Sequence, residues 1–151
     1  MGHAAVAEPT REVAFRSPAE LREVLESLLE AADCDERAGP LLRAASLRTR
    51  FEFTDMGLTL DVASAEDPDR CIEWTFEREP PWEPKLILRM DSDVANRWLQ
   101  GTESIAIAIA RGRVQCAGES RSALFFLPTV KLLTVPYRRL VKSRYRHLQV
   151  S

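Results

Sequence analysis

Histidine is scarce in this sequence: His3 and His147 are the only two in 151 residues. Two histidines so widely separated support neither a metal cluster nor a Ser-His-Asp or Cys-His catalytic arrangement. Cysteine is almost as sparse. Cys34, Cys71 and Cys116 are odd in number and lack CxxC spacing, which reads as reduced thiols of a cytoplasmic protein and excludes a disulfide scaffold. The six glycines form no GxGxxG and no GxxxxGKS/T pattern, so no phosphate-cradling loop is expected. Long apolar runs are missing too. The longest is the six residues of Ile105–Ala110, against the ~20 that span a bilayer. No basic start leads into an apolar stretch, so no export signal is expected. Neither internal repeats nor low-complexity stretches are visible. Carboxylates are plentiful, but a pair such as Asp91 and Asp93 is better explained as helix-start chemistry. A lone thiol such as Cys116 is most often a small apolar residue. The expectation is a protein that is not an enzyme and has neither metal nor cofactor.

The residues that are present describe one soluble domain, with 45% apolar and 29% charged side chains. The formal net charge of −2 conceals an asymmetry. Residues 1–119 hold all 23 acidic residues against 14 Lys and Arg, a net −9, whereas residues 120–151 hold seven basic residues and no acid, a net +7. A one-signed segment points to a polyanion, either anionic lipid head groups or nucleic acid. Its bland alternative is a solvated helix face that neutralises the acidic body. Tyr137 and Tyr145 among the arginines suit base stacking. An isoelectric point near 5.8 argues against nucleic acid, because domains that bind it are usually basic. Frequent Ala and Arg with few Lys suggest a GC-rich bacterial genome.

Periodicity divides the chain into a flexible start over residues 1–16 and a single domain over residues 17–151. Ser17-Pro18-Ala19-Glu20 is a helix start with a capping serine, proline at the first position and a capping-box glutamate. Leu21, Val24, Leu25, Leu28 and Leu29 then form one apolar stripe, and the helix should run to about Ala32. A shorter helix is expected over residues 40–46. The period changes to two over residues 47–54 and 58–62, joined by an Asp55-Met56-Gly57 turn, which reads as a hairpin. Residues 70–78 and 85–90 read as the third and fourth strands, joined by a segment whose prolines forbid ladder bonding. Asp91 or Ser92 caps a short helix through Val94, Trp98 and Leu99 that ends at Gly101. Ile105–Ala110 alternates large and small residues like a strand, yet it lies between helix-end signals, so periodicity leaves it open. A fifth strand is expected over residues 113–117. A helix follows from Ser120 or Ser122 through Leu124, Phe125, Phe126 and Leu127, is interrupted at Pro128, and resumes through Val130, Leu132 and Leu133. A last helix is expected from Pro136, with Tyr137, Leu140, Val141 and Leu148 on one side and the bases largely on the other.

Residues 47–127 resemble the sterol carrier protein type 2 domain family in element order and spacing. The resemblance rests on the alternating hairpin, the strand leading into Asp91-Ser92-Asp93, and the short helix with Trp98-Leu99 closed by Gly101. It continues in Ala110-Arg111-Gly112-Arg113-Val114-Gln115-Cys116-Ala117-Gly118-Glu119. That stretch is similar to the family's Gly-Lys-Leu-x-x-x-Gly-Asp strand, with Arg113 for Lys, Val114 for Leu and Glu119 for Asp. Ser122-Ala123-Leu124 is similar to the start of the family's next helix. The basic C-terminal helices and the proline-rich loop fall outside the matched pattern.

The resemblance implies an α+β fold: a five-stranded, mostly antiparallel sheet covered by helices around an apolar lipid-binding tunnel, with Ile105–Ala110 helical over the cavity. It also implies non-catalytic binding and transfer of a sterol, fatty acyl chain, phospholipid or isoprenoid lipid. The alternative is an accessory module that presents lipid intermediates to a partner enzyme. On this reading Trp98, Leu99, Ile105, Ile109, Leu124, Phe125 and Leu127 would line the tunnel. From the residues alone, a packed core explains them equally well. Arg138, Arg139, Lys142, Arg144 and Arg146 would dock the protein reversibly on anionic membranes. The implied partners are an apolar lipid, an anionic membrane surface and a lipid-modifying enzyme, not nucleic acid. The implied location is cytoplasmic and peripheral to the membrane.

Overall fold

The computed structural model describes residues 14–150. The expected flexible start lies outside the described residues up to residue 13. Residues 14–16 are described, and Phe15 is buried in the core. The elements in chain order are α1 (Pro18–Cys34), α2 (Ala38–Ala44), β1 (Arg48–Phe53), β2 (Leu58–Ser64), β3 (Ile72–Thr75), β4 (Leu86–Met90), α3 (Ser92–Gln100), α4 (Ile105–Ala110), β5 (Gln115–Gly118), α5 (Ser120–Phe126) and α6 (Val130–Arg144). Single 3-10 turns occupy Leu127–Thr129 and Arg146–Leu148.

Local chemistry sets α1. Ser17 Oγ accepts from the Glu20 N–H at 3.1 Å, satisfying one of the donors a helix start leaves unpaired. Glu20 reaches one residue further back than a capping box requires and accepts from the Arg16 N–H at 3.0 Å. The whole stripe Leu21, Val24, Leu25, Leu28 and Leu29 is buried.

The sheet order is β3-β2-β1-β4-β5. Three of its pairings are antiparallel, and β1 with β4 is parallel. Register places Thr49, Phe51 and Phe53 opposite Val62, Leu60 and Leu58 on one side and opposite Leu86, Leu88 and Met90 on the other. These alternate positions make a continuous apolar face, covered by α1 and α2 and by Trp98 of α3 and Phe126 of α5, which pack on Phe51. On the opposite face Arg50 pairs with the fully buried Asp61 at 3.0 Å and donates to the Arg78 carbonyl of the β3–β4 connection. Burial pushes the Asp61 carboxyl up, only partly offset by Arg50.

Two elements differ from expectation, and Ile105–Ala110, left open by periodicity, takes the helical form that the resemblance implies. β3 spans only Ile72–Thr75 instead of residues 70–78, because Thr75 Oγ1 takes the Glu77 N–H at 3.1 Å and bends the chain into a turn. Ile105–Ala110 is a helix, capped by Ser104 accepting from the Ile107 N–H. Ile105 and Ala108, three residues apart, are its buried side. Pro136 does not start a helix: it sits inside α6, which begins at Val130. A proline in a helix interior costs ~3 kcal/mol. Burial of Leu133, Tyr137 and Val141 along one side of the same helix offsets that cost. Past Tyr145 the chain turns back, so Leu148 is buried from a 3-10 turn rather than as part of α6.

Candidate functional site

Between the apolar sheet face and the helices lies a cavity of about 40 Å³. Leu25, Leu28 and Leu29 of α1 form one wall, and Phe51, Phe53, Leu60, Val62 and Ile72 of the sheet form the floor. Ala95, Trp98 and Leu99 of α3 close one side, and Phe126, Thr129 and Leu133 close another. Among the described residues, Thr49 and Thr129 are the only hydroxyl-bearing side chains on this surface. The Thr129 hydroxyl is already committed to the Phe126 carbonyl at 2.6 Å.

Aromatic rings organise the interior. Phe126 meets Phe51 edge-on at 5.7 Å and Trp98 at 6.4 Å, while Phe51 and Trp98 lie nearly parallel at 6.3 Å. The Trp98 N–H points to Met90 Sδ at 3.2 Å, so Trp98 offers the cavity its ring and not a polar handle.

Of the expected lining residues, the structure brings Trp98 and Leu99 together at the cavity. Ile105 is buried and Ile109 and Leu127 are partly buried in the core, but none of the three is on the cavity wall. Leu124 and Phe125 face outward, 70% and 51% exposed. Among the residues of α5 only Phe126 is buried. A short helix lying on the surface presents one side inward, and here that side is Phe126. The contribution of α1 falls outside the resemblance, which begins at residue 47. The signal for it was the helical leucine stripe, whose face had to lie against something.

A polar network fixes α3 behind the cavity. Asn96 Nδ2 and Gln100 Nε2 donate to the Leu148 carbonyl at 2.9 and 2.7 Å. The Tyr137 hydroxyl donates to Asn96 Oδ1 at 2.6 Å, and Gln100 Oε1 accepts the Val150 N–H. Burial pushes the Tyr137 phenol far above its ordinary range. The C-terminal segment also grips α1. The Tyr145 hydroxyl donates to Glu23 at 2.8 Å, and the His147 ring lies 2.9 Å from Glu20. Burial raises the Glu20 carboxyl, but its bonds with His147 and the Arg16 N–H outweigh burial and hold it below its ordinary value.

The five expected docking bases are all exposed. Arg138 donates to the Gln100 carbonyl at 2.7 Å, Arg146 donates to the Lys142 carbonyl, and Arg144 lies 3.9 Å from Glu23. Among the described residues no group of His, Cys, Asp and Glu could hold a metal ion, and no helix is long and apolar enough to cross a membrane.

This arrangement, a mixed five-stranded sheet enclosing a small apolar cavity beneath helices, is the fold of sterol carrier protein 2 domains. The chain is similar to the solution structure of the sterol carrier protein domain 2 of Helicoverpa armigera, with a TM-score of 0.60 and 11% identity over 85% of this chain and 94% of that one. It is likewise similar to a UbiJ-SCP2 ubiquinone synthesis protein, with a TM-score of 0.56 and 16% identity over 85% and 95% of the two chains. A third match, the inverting sec-alkylsulfatase Pisa1 from a Pseudomonas species, has a TM-score of 0.51 and 10% identity. It covers 62% of this chain but only 14% of the sulfatase. No family model and no curated protein matches the sequence.

Proposed function

We propose that this chain is a non-catalytic lipid carrier that binds an apolar chain between the sheet and the helices and docks reversibly on anionic membranes. The observation that carries this reading is the cavity: an almost wholly apolar wall drawn from sheet, α1, α3 and the α5–α6 segment. Small-molecule pockets usually measure ~300–1,000 Å³, so a chain entering a space of about 40 Å³ must displace a wall. Displacing Phe126 costs ~2–3 kcal/mol of lost burial, whereas ten buried methylenes contribute about 8 kcal/mol. The balance favours the loaded state, and specificity rests on chain length rather than polar recognition. The bases Arg139 and Lys142, exposed on α6, supply the attraction to an anionic leaflet, ~1 kcal/mol for each near the surface.

The smallness of the resting cavity favours one further reading, an accessory module that presents lipid intermediates to a partner enzyme. One structural neighbour, UbiJ-SCP2, is a ubiquinone synthesis protein, which is in keeping with it. Solvent extraction of the purified chain, with mass spectrometry of the extract, tests the carrier. About one lipid per chain is expected. An empty protein that stays empty after incubation with fatty acid, sterol and phospholipid would exclude it.

A further inference from the structure

From Ser120 to Arg144 the chain follows one nearly continuous helical path, broken only by the 3-10 turn at Leu127–Thr129. Its buried positions recur at Phe126, Thr129, Leu133, Tyr137 and Val141. The opposite side carries the exposed side chains Arg121, Leu124, Phe125, Lys131, Val135 and Arg139. Every one of those six side chains is either basic or apolar. Leu124, Phe125 and Val135 are each more than half exposed. The nearest acid in the chain, Glu119, precedes them at the N-cap of α5.

Two properties of α5 go beyond surface charge. Of its seven residues only Phe126 is buried, with Ala123 partly buried against the core. Phe126 is also a wall of the cavity, edge-on to Phe51 and Trp98. An element with so little buried area lies at the low end of local stability. The side chains that would gain from leaving water, Leu124 and Phe125, sit on its outer side.

We infer that α5 is a membrane-operated gate: Leu124 and Phe125 enter the interface of an anionic bilayer and draw Phe126 out of the cavity wall. The inference rests on the carrier reading. The occupant of this exposed side is a lipid surface because interspersed bases and bare apolar side chains match an anionic head-group layer over hydrocarbon. A gate of this kind opens rapidly at a lipid surface and only by slow local opening in water.

The test uses the full chain with vesicles of phosphatidylcholine alone or mixed with phosphatidylglycerol. The wild-type chain should cosediment with the mixed vesicles and not with the neutral ones. L124S/F125S, altered only at exposed positions, should keep its melting temperature and lose at least ~10-fold in partitioning. It should also take up a pyrene-labelled fatty acid from water to wild-type occupancy while accepting it from mixed vesicles ~10-fold more slowly. Transfer at the wild-type rate would overturn the gate and leave the carrier standing. Failure of the wild-type chain to bind the probe even from water would overturn the carrier reading, and the gate with it. In a W74F/W82F chain Trp98 is the only tryptophan. Its emission should shift when mixed vesicles are added, as Phe126 leaves its ring; unchanged emission on bound protein would refute the gate.

Discussion

Replacing Phe126 by alanine removes the ring that closes the cavity. Phe126 is 3% exposed and touches two other rings, so the substitution both loses burial and leaves a void. Voids cost ~24 cal/mol per Å³, which already assigns ~1 kcal/mol to the resting cavity. A buried Phe→Ala change costs about 3–5 kcal/mol in total. At the ~2–4 °C per kcal/mol of a domain this size, the melting temperature should fall by roughly 6–20 °C. Urea unfolding followed by far-ultraviolet circular dichroism measures the loss. The enlarged space should stay dry and accept a small hydrocarbon such as benzene. At a ligand concentration ~100-fold above Kd, binding restores about 2.7 kcal/mol. A loss below ~1 kcal/mol, with no rise in stability on adding hydrocarbon, would show that Phe126 does not wall a cavity.

Gly118 has φ +111°, and a Cβ there would stand 2.2 Å from the Lys85 carbonyl oxygen. G118A should therefore cost more than ~2 kcal/mol and loosen the β4–β5 pairing; amide exchange at Ile87 and Ala117, which face each other across that pairing, reads the loosening. Burial keeps the Tyr137 phenol protonated in the folded chain, whereas the unfolded chain releases that proton near pH ~10. The folded state then holds more protons, so stability falls as pH rises above ~10. Y137F should flatten that fall in urea midpoints measured between about pH 9 and 11. Some slope should remain, because Tyr145 is also raised, by burial and by its bond to Glu23. At neutral pH the same variant should cost only about 0.5–1.5 kcal/mol, since Asn96 Oδ1 still accepts from Gln100.

Much of this fold was legible because its elements carry local signals. Ser17 caps α1, the alternation in residues 47–54 and 58–62 sets the hairpin, and Gly101 ends α3 at φ +79°. What was not legible depends on distant partners. The parallel pairing of β1 with β4 leaves no mark in either strand. The passage of α6 through Pro136 is decided by burial of Leu133 and Tyr137, not by local preference. Ile105–Ala110 shows the same limit, because alternation fits either a strand or a short buried helix until its contacts are known. At the site, Trp98 and Leu99 could be picked out from the apolar side of a short helix. Leu124 and Phe125 could not be told from lining residues, because four apolar residues in a row carry no direction until one of them, Phe126, is seen to face inward.

In the proposed loaded state a hydrocarbon chain lies between α1, α3 and the sheet. The most direct measurement is the set of nuclear Overhauser effects between carbon-13-labelled palmitate and the methyl groups of the protein. Contacts are expected from the acyl chain to Leu28, Leu42 and Leu133, all on the cavity wall. Contacts confined to Leu124 and Val135 on the outer side, with the interior methyls unmoved, would contradict that placement.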